Sequence, residues 1–186
     1  MANFFIKSLV LASVLSMGIG LLGGLNTEAY GEKQVDQFLN DPSKDYINLS
    51  GKDRQDTSRL ISQMAYDHSD EVIIVDGSNY VDSMSAIQVS AYLDAPILLN
   101  GKAGLDKGTR AEMIRLRAEH AYLVGCNINP KLEADLVEEG CKVTRISAEK
   151  PFDLSYKCGE FANKNKTTTK KSLILASSEV FADSLS

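Results

Sequence analysis

The feature that most constrains this chain is a partial echo of itself. Leu49-Ser50-Gly51-Lys52-Asp53-Arg54-Gln55-Asp56-Thr57-Ser58 lines up with Ile146-Ser147-Ala148-Glu149-Lys150-Pro151-Phe152-Asp153-Leu154-Ser155, roughly a hundred residues further on. Val72 to Val75 followed by Tyr80-Val81-Asp82-Ser83-Met84-Ser85 returns as Leu173 to Ala176 followed by Phe181-Ala182-Asp183-Ser184-Leu185-Ser186. The second correspondence is displaced by a few residues, which the polar stretch Asn163 to Lys171 absorbs as a longer loop. A chain written this way folds as modules: one over 46–144, and a second beginning at 145. The second copy stops at Ser186, just inside the helix after its second strand, with a sheet edge uncovered. That pattern predicts a fragment or a truncated reading frame.

Within the module, short aliphatic runs alternate with amphipathic stretches. The strands are expected at Tyr46 to Leu49, Glu71 to Val75, Pro96 to Leu99, Ala121 to Val124 and Lys142 to Ile146. Helices are expected near Arg54 to Tyr66, Ser83 to Leu93, Asp106 to Glu119 and Pro130 to Glu139. Asp53 is placed to cap the first of these, with Asp56 three residues on. Val72-Ile73-Ile74-Val75 and Ile97-Leu98-Leu99 are apolar without alternation, the mark of strands covered on both faces; Ile97-Leu98-Leu99 therefore reads as a central strand. Strand and helix alternating in this way predict a layered α/β module with a mainly parallel sheet, in tandem repeat with the second copy incomplete.

The first residues read as an address. Lys7 precedes an uncharged apolar run from Ser8 to Leu25, and small residues at Ala29 and Gly31 suit cleavage, so 1–29 is expected to be a signal peptide. A retained membrane anchor is the competing reading; the glycines and serines of the run weigh against it. Residues 30–45 are polar, carry Pro42 and read as a linker. Cys126, Cys141 and Cys158 are odd in number and lack zinc-site spacing, so they are expected as buried apolar side chains rather than a disulfide framework. Twenty Lys+Arg against 25 Asp+Glu give a net charge of -5, which excludes gripping a polyanion or nucleic acid by bulk charge. With two histidines and no tryptophan, a His-rich metal centre and a Trp-lined sugar platform are excluded too.

Ser50-Gly51-Lys52-Asp53-Arg54 with Asp56-Thr57-Ser58, Val72 to Val75, Gly77, Asn79-Tyr80-Val81-Asp82 with Ser85-Ala86, and Ala95-Pro96-Ile97-Leu98-Leu99 resemble the type-2 cell-wall-binding repeat of Gram-positive surface proteins. Tyr122-Leu123-Val124-Gly125 and Val143 to Ser147 extend the likeness over nearly the whole first copy. In the second copy Pro151 stands for the Arg and Leu154 for the Thr. The resemblance implies a Toprim-like, flavodoxin-like fold and non-covalent attachment of a secreted protein to an anionic secondary wall polymer. It also implies three such modules packed together and joined to a separate effector, such as an amidase, a protease or an adhesin. A chain with fewer modules would then hold walls weakly, since avidity needs simultaneous engagement.

The residues allow two readings at most candidate positions. Arg54, Asp56 and Thr57 open a helix, where free N–H groups and a guanidinium suit phosphate. The alternative is a capping and ion-pair cluster of Arg54 with Asp53 and Asp56. Asp82 follows a strand at the crevice position of α/β sheets and could receive sugar hydroxyls, or it could simply cap the next helix. Ile97, Leu98 and Leu99 are core by pattern, and the resemblance associates this segment with polymer attachment. Arg110, with Lys107, Arg115 and Arg117, gives one helix a basic skew that could face a polyanion or only solvent. Toprim-type catalysis would need clustered carboxylates around a divalent metal; Asp76 and Asp82 are present without an accompanying glutamate or DxD. The expectation is therefore a non-catalytic wall-binding module without cofactor or metal. An amidase-type autolysin with its catalytic domain elsewhere, or a truncated remnant, are the alternatives.

Overall fold

The structure, a computed structural model, describes residues 49–164. The expected signal peptide and linker, most of the first expected strand, and the second copy beyond 164 lie outside those residues. Nine elements follow one another: α1 (Arg54–Ala65), β1 (Glu71–Asp76), α2 (Tyr80–Leu93), β2 (Ile97–Asn100), α3 (Lys107–Leu116), β3 (His120–Gly125), α4 (Pro130–Glu138), β4 (Lys142–Ser147) and α5 (Pro151–Asn163). Among the described residues no helix is long and apolar enough to cross a membrane.

The four strands are all parallel, in the order β2-β1-β3-β4. Parallel neighbours need a crossover helix, and each strand here is followed by one. β1 shows why both faces must be covered. Val72 and Ile74 enter one apolar layer with Met113 and Leu116 of α3 and Leu132 and Leu136 of α4. Ile73 and Val75 enter the other, with Ala86 and Val89 of α2 and Leu154 and Cys158 of α5. Successive side chains point to opposite faces, so an unbroken aliphatic run fills two cores at once.

One expectation about strand position is overturned. Ile97-Leu98-Leu99 lies in β2, which is the edge of the described sheet rather than its centre. The edge is apolar because α1 covers it. The Leu99 N–H, which would otherwise face solvent, donates to Ser58 Oγ at 3.0 Å.

α1 is fastened to α3 by polar groups. Glu112 of α3 is almost wholly buried and accepts from Ser62 Oγ at 2.6 Å and Gln63 Nε2 at 3.1 Å, while Arg115 donates to it from Nε and Nη2. α5 is fastened mainly by apolar ones. Leu154 and Cys158 are fully buried, Phe161 packs edge-on against Tyr92 and Tyr122, and Gln88 of α2 donates to Ser155. The boundary drawn from the repeat, between 144 and 145, falls inside β4. α5, the counterpart of α1 in the repeated sequence, closes the second face of the described sheet.

The three cysteines are free; Cys141 and Cys158 are buried and Cys126 half-buried.

Candidate functional site

The C-terminal ends of β1, β2 and β3 meet at one end of the sheet, where parallel α/β folds hold ligands. Arg54 reaches this end from the start of α1. It is exposed, and its Nη1 donates to the Gly77 carbonyl at 2.7 Å; Gly77 N in turn donates to Asn100 O at 2.9 Å. The guanidinium is thereby pinned over the loop that follows β1.

Asp56 and Thr57, sequence neighbours of Arg54, are turned inward to close the loop of residues 51–53 that leads into α1. Asp56 Oδ2 accepts from Lys52 N at 2.9 Å and its Oδ1 from Arg59 Nη2 at 3.0 Å. The Lys52 N–H, aided by Arg59 and opposed by partial burial, holds the carboxyl below its usual range. Thr57 Oγ1 accepts from Gly51 N at 3.0 Å and donates to Asp53 O at 2.9 Å. A side chain at Gly51 would sit 2.5 Å from Thr57 N, so the loop closes only around glycine. Asp53 caps α1 as expected, accepting from Asp56 N at 2.7 Å. The alternative ion-pair cluster of Arg54 with Asp53 and Asp56 does not form, because capping takes Asp53 and Arg59 takes Asp56.

Asp82 is not a cap. Asn79 caps α2, accepting from Val81 N at 3.1 Å, and Asp82 falls three residues later with only 2% of its surface exposed. Its Oδ2 accepts from Cys126 N at 3.3 Å, and among the described residues its Oδ1 has no hydrogen-bond partner. Burial pushes the carboxyl above the usual carboxylate range, against the pull of the Cys126 N–H. The Cys126 thiol is pushed up as well, by burial and then by the Asp82 charge. Gly125 permits the approach, since a side chain there would meet Asp82 Oδ2 at 3.0 Å. The signal for Asn79 was legible in Asn-x-x-Asp before an apolar helix, a relative of the capping box.

Of the β2 triplet, Leu98 is fully buried in the core shared with α3 and α4, while Ile97 and Leu99 are half-buried on the opposite side. Two of the four basic residues in the skew of α3 are engaged within the molecule. Arg110 pairs with Glu139 at 2.9 Å, and Arg115 binds Glu112 and the Tyr66 carbonyl.

Between β1 and β3 lies a crevice of about 250 Å³. Ile74, Val124 and Leu132 form its apolar wall, and Asp76, Asp82, Lys102 and Asn127 supply polar groups. Lys102, Asn127 and Asn129 escaped the sequence reading. They follow strands by a few residues, so the strand-end rule could have found them. Among the described residues no three His, Cys, Asp or Glu side chains gather as a metal-holding group.

The model of the family described as cell wall binding domain 2 matches residues 48–127. Residues 48–127 match a type-2 cell-wall-binding repeat. It is 23% identical over 129 residues to the N-acetylmuramoyl-L-alanine amidase LytC of Bacillus subtilis (strain 168), covering 68% of this chain and 25% of the amidase. Cwp6 from Clostridium difficile superimposes with a TM-score of 0.59 at 22% identity, over 81% of this chain and 25% of Cwp6. Cwp8 from the same organism gives 0.55 at 26% identity, over 68% of this chain and 21% of Cwp8. The chain thus spans about a quarter of the length of these relatives or less, and the matched family implies association with the cell wall.

Proposed function

We propose that this module tethers an exported protein non-covalently to an anionic secondary polymer of a Gram-positive wall, with Arg54 as its principal cation. The observation that carries the reading is the exposed Arg54 guanidinium, pinned at the ligand-binding end of a fold whose family binds cell walls. Bulk charge of -5 supplies no attraction, so a local planar fork suited to phosphate or carboxylate must do so. Asp56 and Thr57 contribute by shaping the loop that presents Arg54. The partly buried Ile97 and Leu99 position β2 beneath α1, and Arg110 acts only where a polymer displaces Glu139. Further copies of the repeat would add avidity, and residues 1–29 would direct export.

The likeness to an amidase favours a second reading, in which the full protein cleaves walls and this module only localises it. The test uses the chain coupled densely to beads and mixed with purified Gram-positive walls. Arg54→Ala should lower retention several-fold with folding unchanged, and Arg54→Lys should restore only part, since lysine keeps the charge but not the fork. Equal retention by all three would remove Arg54 from the account.

A further inference from the structure

The crevice between β1 and β3 has no part in the role given to Arg54, and its chemistry differs. Asp82 is buried to all but 2%, lines the cavity, and carries an oxygen, Oδ1, that the described residues leave without a partner. Buried polar atoms are nearly always satisfied, so an orphan beside a cavity is unusual. The occupant can be narrowed by charge. Asp76 and Asp82 disfavour an anion, and Lys102 together with the Ile74, Val124 and Leu132 wall disfavours a bare cation. A neutral group with several hydroxyls meets both requirements, because each hydroxyl donates to a carboxyl and accepts from an ammonium or amide. An apolar wall with a few convergent polar groups is also the usual build of a small-ligand site. The volume of about 250 Å³ lies just below that of drug-sized pockets, about 300–1,000 Å³, which suits one ring rather than a chain.

We propose that the crevice binds a single uncharged sugar ring, whose hydroxyls reach Asp82 and are flanked by Lys102 and Asn127. The proposal deepens the wall-attachment reading by assigning a second, sugar-reading contact at the same end of the sheet. It rests on that reading only for the choice of sugar.

The test is a titration of the isotope-labelled full chain with N-acetylglucosamine, following backbone amides by NMR, with inorganic phosphate and propylammonium as parallel probes. The expected result is saturable shifts at Gly101, Gly125, Cys126 and Asn127 with the sugar alone. Asp82→Leu should weaken them at least tenfold. Asn127→Ala, an exposed rim change that leaves the core untouched, should weaken them a few-fold and keeps the test decisive if Asp82→Leu does not fold. Shifts that never saturate, saturation by phosphate or ammonium instead, or sugar binding unchanged in Asn127→Ala and Asp82→Leu would each overturn the proposal. If sugar binding fails while wall retention still depends on Arg54, the crevice assignment falls and wall attachment stands. If sugar binding holds while retention ignores Arg54, the reverse follows.

Discussion

α1 and α5 occupy the same place in the repeated sequence and are held to the molecule in opposite ways. α1 begins with a side-chain cap from Asp53, closes its loop through Asp56 and Thr57, and locks onto α3 through Glu112. α5 begins at Lys150 with no side-chain cap, has Pro151 where α1 has Arg54, and buries Leu154 completely where α1 has Thr57. A Thr-to-Leu exchange at matching positions has thus turned a polar loop clasp into an apolar anchor. Repetition in sequence therefore does not guarantee repetition of role. Of the two helix starts, only that of α1 presents a guanidinium at the end of the sheet.

Four measurements would break or sharpen this contrast. The largest effect is expected from Leu154→Ala, which should cost about 2–5 kcal/mol in denaturant unfolding through the cavity left between α5 and the sheet. A cost near zero would mean that α5 is not an anchor. Glu112→Ala should cost about 1–3 kcal/mol by leaving the groups it accepts from, Ser62, Gln63 and Arg115, without their acceptor. Its damage should appear as faster amide exchange in α1 and α3, with α5 spared. Asp53→Ala should cost about 1 kcal/mol, whereas Lys150→Asp, which supplies the missing cap, should gain several tenths to about 1 kcal/mol. Equal and opposite signs at matched positions would be hard to explain if the two helix starts were equivalent.

The smallest effect is one of pH. Asp56 is held below its ordinary value of 3.8 in the folded chain, so the folded state binds fewer protons than the unfolded one near that pH. Its contribution is intact above the ordinary value and is lost as the pH falls through the depressed one. Amides of the 51–57 loop should therefore lose protection in acid before those of α5, and Asp56→Asn should abolish the difference. Simultaneous loss in both regions, unchanged in the variant, would contradict it.

How much of this was readable beforehand depends on the range of the interaction. The parallel α/β class, the positions of β1 to β4 and of α1 to α4, and the Asp53 cap are local consequences of periodicity and side-chain chemistry, and they were legible; α5 was not among the expected helices. Edge placement of β2 was not, because its apolar run is equally suited to a central strand and only the docking of α1 decides. The capping alternative for Asp82 fails because Asn79, three residues earlier, competes for the same task and stands at the boundary. The crevice needed strand order, since Lys102 and Asn127 come from different strand ends brought together by the crossing of β1 between β2 and β3. Arg54 was legible as a residue but not as a geometry, because its anchor, the Gly77 carbonyl, lies 23 residues further on and only the fold brings the two together.

The most direct test of the central claim is co-sedimentation of bead-coupled chain with walls whose secondary polymers are intact, compared with walls stripped by hydrofluoric acid. The account predicts retention on intact walls that falls to background on stripped ones and weakens as salt is raised. Equal retention on both preparations would place the contact on peptidoglycan and contradict attachment to an anionic polymer.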